Sequence, residues 1–192
     1  VSKAAVGGSL RRMRDTIGDI DLLVAADSPD AVMDRFAALD RVEVLNARGP
    51  SRARVTLLNG LGVDLRVLPA ERWGTLLCYF TGSKDHNVKL RELALKRGLS
   101  LNEHAFTPLD GSGEILCTTE EEVYRTLGLP YIPPRLREDR GEIEAAAAGK
   151  LPVLIELGDV ISDLHMHTIW SDGTLSVLEI AQAAKARGLR GI

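Results

Sequence analysis

Gly8-Ser9-Leu10-Arg11-Arg12 is followed within a few residues by Gly18-Asp19-Ile20-Asp21-Leu22-Leu23-Val24. Residues i and i+2 of a β-strand leave the same face. Asp19 and Asp21 therefore project side by side while Ile20 and Leu22 turn into the core. Two carboxylates held that close repel each other unless a cation lies between them. Hard divalent ions such as Mg²⁺ bind through one or two carboxylates together with substrate phosphates. The pattern points to phosphoryl transfer, with metal on the acids and a triphosphate on the Gly-Ser turn. A third acid lies in Val63-Asp64-Leu65-Arg66-Val67-Leu68, whose alternation is that of a half-buried strand. Asp64 and Arg66 share its polar face, so Arg66 is expected to orient Asp64. Three carboxylates from adjacent strands are a minimal scaffold for two ions about 3.5–4 Å apart.

A second constellation lies near the other end. Ile161 to Thr168 contains His165 and His167, again i and i+2 on an expected strand, with Asp172 on the following Ser171-Asp172-Gly173 loop. Imidazole plus carboxylate suits Zn²⁺, Mn²⁺ or Fe.

The elements that must carry these residues follow from periodicity and end signals. Ala4 to Val6 reads as a strand before the Gly7-Gly8 turn, and Pro29 to Leu39 as a helix after Ser28-Pro29. Arg41 to Leu45 and Ala53 to Leu58 read as strands, with Asn59-Gly60 as a hairpin turn. Trp73 to Phe80 and Lys84 to Arg97 are expected helices, the second stopped by Gly98. A short helix spans Thr119 to Leu127, capped by Thr118 or Thr119. Pro130, Pro133 and Pro134 then interrupt the chain, Glu142 to Lys150 reads as a helix, and Thr174 to Arg187 as an amphipathic helix ended by Gly188.

Two motifs together resemble the family X DNA polymerases, the group that contains DNA polymerase beta. The first is Gly-Ser-x-Arg-Arg followed by Gly-Asp-x-Asp. The second is Tyr79-Phe80-Thr81-Gly82-Ser83 with Asn87, Arg91 and Leu101-Asn102-Glu103-His104. The resemblance implies an α/β (α+β) fold: a nucleotidyltransferase palm with a mixed β-sheet, a small α+β thumb, and a further domain. Its ranges are 1–70 for the palm and 71–137 for the thumb. His165-x-His167 with Ser-Asp-Gly-Thr and a helix resembles the opening of a polymerase and histidinol phosphatase (PHP) domain, whose first strand and helix would occupy 159–192 after a linker at 138–158.

By that resemblance, Asp19, Asp21 and Asp64 are the catalytic metal ligands for Mg²⁺ or Mn²⁺, and Asp64 helps deprotonate the primer 3′-hydroxyl. Gly8, Ser9 and Arg12 hold the triphosphate of the dNTP. Tyr79, Phe80 and Gly82 wall its sugar, and Asn87 faces the base. Arg66, Lys84 and Arg91 meet the DNA. His165, His167 and Asp172 are the first PHP ligands, for Mn²⁺ or Zn²⁺, with the rest of that site and the DNA-binding segment before the palm expected elsewhere in a larger protein. The implied function is gap-filling DNA synthesis in repair on gapped or primer-template DNA, by a monomer, with a PHP-type nuclease or phosphoesterase activity in the parent. The rival readings are a template-independent nucleotidyltransferase and a non-catalytic gapped-DNA-binding scaffold.

Composition sets the remaining bounds. The 192 residues carry 24 Lys and Arg against 27 Asp and Glu, a formal net charge of −3. Strong duplex binding draws on a basic surface, which here is expected from Lys84, Lys89, Arg91, Lys96 and Arg97. Cys78 and Cys117 form no disulfide framework and read as buried or semi-buried thiols. No stretch of about 20 apolar residues offers a membrane span. The expectation is a cytoplasmic, nucleoid-associated protein with no membrane partner.

Overall fold

A computed structural model describes residues 1–192. The chain divides into two compact units, 1–151 and 152–192.

The first unit is built on a five-stranded sheet. Its strands are β1 (Lys3–Val6), β2 (Asp19–Ala25), β3 (Val42–Arg48), β4 (Arg52–Leu57) and β5 (Gly62–Leu68), in the order β1-β2-β5-β4-β3. Only β2 and β5 run parallel; the other pairs are antiparallel, so the sheet is mixed. Strand alternation sorts the side chains by face. Leu22, Val24, Val63, Leu65, Val67, Ala53 and Val55 point to the side covered by α2 (Pro29–Ala37), which contributes Met33 and Phe36 to that core. Proline at the first turn starts α2, since its missing N–H costs nothing there.

The opposite face is split by composition. At its apolar end, Leu23, Ala25 and Leu68 take α3 (Trp73–Thr81) through Trp73, Leu76 and Leu77. At the other end it carries Asp19, Asp21, Asp64, Arg66 and Arg54. The four-residue helix α1 (Gly8–Arg11) leads from β1 towards that charged end.

A second core joins the far side of α3 to α4 (Lys84–Lys96), the hairpin β6 (Leu99–Leu101) and β7 (Phe106–Pro108), and α5 (Glu120–Thr126). Cys78, Leu90, Phe106, Cys117, Tyr124, Leu127 and Ile132 fill it. Both cysteines are buried thiols, as expected. Thr119 is the cap of α5, in a capping box with Glu122, which resolves the choice between Thr118 and Thr119. Residues 138–151, expected to be linker, carry α6 (Glu142–Ala147), and Ala146, Ile143 and Leu151 pack against this same core. Four consecutive alanines give helix propensity, but the apolar contact decides that the helix docks.

The second unit contains α7 (Val177–Ala186), started by a Ser176–Glu179 capping box. The strand expected around His165 and His167 is absent. Pairing is limited to a bridge from Ser162 to Gly191, flanked by bonds from Asp163 N–H and to the Ile161 carbonyl. Beyond Asp163 no neighbouring chain supplies a ladder, and a strand without one does not form. No helix of the chain is long and apolar enough to cross a membrane.

Candidate active site

The parallel β2–β5 pairing sets Asp21 beside Asp64 as register partners, and Asp19 lies two residues earlier on β2. All three carboxylates therefore leave one face at the same end of the sheet. Burial raises the Asp21 carboxyl above its ordinary range, and the negative charges of Asp19 and Asp64 raise it further, against Arg66 and Arg12. Gly8 explains how the turn approaches so closely: its backbone has φ +58°, and a Cβ there would stand 2.2 Å from Asp21 Oδ2. Only glycine satisfies both demands.

The cation on Asp64 is not the one expected. Arg54 Nη1 donates to Asp64 Oδ2 at 2.5 Å, and its Nη2 lies 3.9 Å from Asp19 Oδ2. Arg66, two residues along the same strand, instead places its guanidinium over the Phe80 ring at 4.7 Å. The reason is register. Arg54 sits directly across from Asp64 in the antiparallel β4–β5 pair, and directly opposed side chains are nearer than i, i+2 neighbours. Arg66 faces Arg52, a like charge, and turns away to the aromatic ring.

No three His, Cys, Asp or Glu side chains are drawn together tightly enough to hold one metal ion. The donor set still suits a hard divalent cation, being three oxygen ligands whose mutual repulsion is already expressed at Asp21. Arg54 supplies the positive charge on Asp64 in this arrangement.

Beside the acids lies a cleft of about 340 Å³ lined by Gly8, Ser9, Arg12, Asp21, Tyr79 and Phe80 on one side. Gly82, Lys84, Asn87 and Arg91 complete it. The expected nucleotide residues thus meet in one cavity, although Arg12 and Tyr79 lie 67 positions apart in the chain. Tyr79 and Phe80 are consecutive on α3 with rings edge to face at 5.3 Å. The Asn87 amide donates to the Tyr79 carbonyl at 2.6 Å, tying α4 to α3. Gly82 ends α3 at φ +72°, where Arg12 Nη1 would lie only 3.0 Å from a Cβ.

The basic cluster expected on α4 is not continuous. Lys84 and Arg91 line the cleft, whereas Lys89 is bound to Asp139 at 2.5 Å with Glu144 at 3.7 Å. Helical spacing places Lys89 on a flank that the acidic stretch before α6 reaches.

Sequence reasoning missed the residues that hold the Gly-Ser-Arg-Arg turn from behind. Glu120, buried on α5, accepts from Arg11 Nη2 at 2.7 Å and from Arg137 Nη1 at 2.6 Å. Burial pushes the Glu120 carboxyl up, but the two guanidinium groups outweigh it and hold it below the usual carboxylate range. Arg12 Nε donates to Glu138 Oε1 at 2.7 Å and Nη1 to the Thr81 carbonyl at 2.6 Å. The signal was present in the charged run Arg135 to Arg140, but nothing local says which of those charges faces inward.

In the second unit, the His165 and His167 rings stack with centroids 5.1 Å apart and their Nε2 atoms 3.1 Å apart. His167 Nδ1 is hydrogen-bonded to Asp172, so the three residues do meet. The hydrogen bond holds the Asp172 carboxyl below its ordinary range. A tight turn does what a strand was expected to do: a Cβ on Gly173 would lie 2.2 Å from the His167 carbonyl oxygen.

Comparison with known proteins agrees with this geometry. The DNA polymerase beta thumb family matches residues 76–138. The chain is 39% identical over 191 residues to the DNA polymerase/3'-5' exonuclease PolX of Bacillus subtilis, covering 98% of this chain and 33% of that protein. It is 32% identical over 159 residues to DNA polymerase lambda of Rattus norvegicus, covering 68% of this chain and 28% of that protein. The chain therefore spans about a third or less of the length of these curated relatives. Among solved structures, Leishmania infantum polymerase beta in a ternary P/T complex matches with a TM-score of 0.61 at 24% identity. That match covers 71% of this chain and 67% of the other, and the likeness is one of fold. On the match to the Bacillus protein across 98% of this chain and the polymerase beta thumb at residues 76–138, the chain belongs to the family X DNA polymerases.

Proposed function

We propose that the first unit is the palm (1–70) and thumb (71–137) of a DNA-directed DNA polymerase that adds dNTPs to a primer 3′-end at gaps. The observation that carries this reading is the junction of three converging carboxylates with a cleft lined by Gly8, Ser9, Arg12, Tyr79, Phe80 and Asn87. Asp21 stays above its ordinary range even with Arg66 and Arg12 nearby, which suits acids that take a cation better than it suits a scaffold.

In this reaction the primer 3′-oxygen attacks the α-phosphorus, the bond to the bridging oxygen breaks, and pyrophosphate leaves. Asp19, Asp21 and Asp64 would hold Mg²⁺ or Mn²⁺, which when bound would supply positive charge for the attacking and leaving groups. Asp64 promotes loss of the 3′-hydroxyl proton. Ser9 and Arg12, with the Gly8 backbone, bind the β- and γ-phosphates, and Arg12 is a fixed charge for the developing anion. Tyr79, Phe80 and the Gly82 turn wall the sugar, and Asn87 faces the base. Lys84, Arg91 and Arg66 meet the template and primer backbones. Such contacts supply sequence-independent affinity that weakens with salt.

The second unit is the start of a PHP domain, with His165, His167 and Asp172 as its first ligands for Mn²⁺ or Zn²⁺. The double name of the Bacillus relative, polymerase and 3'-5' exonuclease, supports a nuclease or phosphoesterase activity in the whole protein. Gapped DNA and dNTP are the partners, the protein acts as a monomer, and its place is the cytoplasm at the nucleoid.

The test is primer extension on a one-nucleotide gapped duplex and on a single-stranded primer, by the full-length protein and its Asp64→Ala variant. Templated insertion on the gap that falls by roughly a thousandfold or more in the variant is expected, in line with losing a central element of the metal site. Equal, untemplated addition to both DNAs would make it a template-independent transferase. No insertion by the unaltered protein would leave a scaffold.

A further inference from the structure

Arg12 lines the cleft while two of its three nitrogens are held by the protein. Its Nε is bound to Glu138 and its Nη1 to the Thr81 carbonyl, while Nη2 has no protein partner. Glu138 does not line the cleft; it holds the guanidinium from the far side, and both side chains are mostly buried, 13% and 18% exposed. A guanidinium has five donors in a rigid fork. A carboxylate on Nε therefore fixes the plane of the fork while its outer edge stays available to an anion.

The segment that brings Glu138 there is itself firmly held. Arg137, fully buried, donates from Nε to the Ile132 carbonyl at 2.8 Å and from Nη1 to Glu120 at 2.6 Å. Its own carbonyl accepts from the Ser83 N–H at 2.9 Å, at the turn that follows Gly82. Consecutive residues of one strap, Arg137 and Glu138, thus support consecutive residues of the turn: Arg11 through Glu120, and Arg12 directly.

We propose that Glu138 is a positioning residue for nucleoside triphosphate binding: it pre-orients the Arg12 guanidinium for the β- and γ-phosphates from a position outside the cleft. This rests on the assignment of Arg12 to the triphosphate. A flexible arginine loses side-chain freedom when it binds an anion, and a charge-assisted bond already in place removes that cost beforehand. Glu138 Oε1 also lies 3.8 Å from Arg14 Nε, but Arg14 does not line the cleft, so the effect of Glu138 on the nucleotide passes through Arg12.

The experiment is a double-mutant cycle on nucleotide affinity in the full-length protein. The probe is the templated dNTP with Mg²⁺ on a one-nucleotide gapped duplex whose primer ends in a dideoxynucleotide, so binding is read without turnover. Arg12→Ala is expected to weaken binding by at least about tenfold. Glu138→Ala is expected to weaken it about five- to tenfold, and Glu138→Gln, which keeps an acceptor oxygen, less than about threefold. In the Arg12→Ala background, Glu138→Ala is expected to change affinity by less than about twofold.

The same loss in both backgrounds would make the role of Glu138 merely structural and overturn the proposal. Tighter binding in Glu138→Ala would also overturn it, since Glu138 would then be competing with the phosphates. Unchanged affinity in Arg12→Ala would remove the triphosphate assignment of Arg12 itself, a separate failure. Should Glu138→Ala fail to fold, Glu138→Met, which fills a similar space without an acceptor oxygen, carries the same cycle in both backgrounds.

Discussion

Asp19, Asp21 and Asp64 share their end of the sheet with Arg54, and the two signs of charge compete for the same place. Arg54 bonds Asp64 and approaches Asp19, so a divalent cation that takes Asp64 must share the carboxylate with the guanidinium or displace it, against the positive charge either way. Because Arg54 is about half exposed, the ion pair is worth no more than about 1 kcal/mol. Arg54→Ala is accordingly expected to tighten Mn²⁺ binding roughly two- to fivefold, as read by loss of the free-ion electron paramagnetic resonance signal. Weaker Mn²⁺ binding in the variant would instead make Arg54 a residue that aims Asp64 at the metal.

At the level of elements, the crossing of α3 with the start of α5 depends on a missing side chain. Gly74, on the first turn of α3, donates its N–H to the Cys117 carbonyl at 2.8 Å. A Cβ on it would stand 2.2 Å from the Thr119 carbonyl oxygen and 2.5 Å from its carbon. These are backbone atoms at the helix cap and cannot swing aside as a side chain could. Within an exposed helix, Gly→Ala stabilises by up to about 1 kcal/mol. Here overpacking reverses the sign, and Gly74→Ala is expected to destabilise the first unit by about 1–3 kcal/mol in urea denaturation. A stabilised variant would mean that α3 and α5 can move apart without loss. The cleft beside the acids depends on this crossing, since Tyr79 and Phe80 are carried at the far end of α3.

For the whole molecule, the buried centre that joins α4, α5 and α6 sets a pH limit. His86, fully buried, contacts Glu142 Oε1 through Nδ1 at 2.6 Å and the Tyr124 hydroxyl through Nε2 at 3.0 Å. A neutral ring satisfies both, with Nδ1–H donating to the carboxylate and Nε2 accepting from the hydroxyl. Burial lowers the His86 pKa, against the upward pull of Glu142. The unfolded chain therefore takes up a proton near pH 6.5 that the folded chain refuses. The sign follows: this contribution to stability is complete above about pH 6.5 and is lost as pH falls below it, by up to about 1.4 kcal/mol per pH unit. Thermal unfolding at pH 7.5 and 5.5 is expected to show a lower midpoint at the acid value, and a smaller difference in His86→Gln. An equal drop in both proteins would assign the acid lability to other groups.

The candidate site residues and most of the elements were legible in the residues themselves. Acids two apart on an apolar strand, a Gly-Ser turn before them and a Tyr-Phe-x-Gly helix end are short-range facts. So are the α2 start at Ser28-Pro29 and the capping signal around Thr119, because periodicity and caps act over a few residues. What the tertiary structure alone decided are meetings between distant segments. The β4–β5 register gives Asp64 its cation from Arg54 rather than Arg66. Glu138 reaches Arg12 across 126 positions of the chain. The helix of the alanine run docks on the core instead of bridging a linker, and His165 and His167 meet through a turn rather than on a strand. A strand needs a partner, a charge needs the neighbour that will balance it, and an apolar face needs a surface to cover it. Those partners are chosen by how whole elements pack, so spacing within one segment names the reactive groups but not the groups that restrain them.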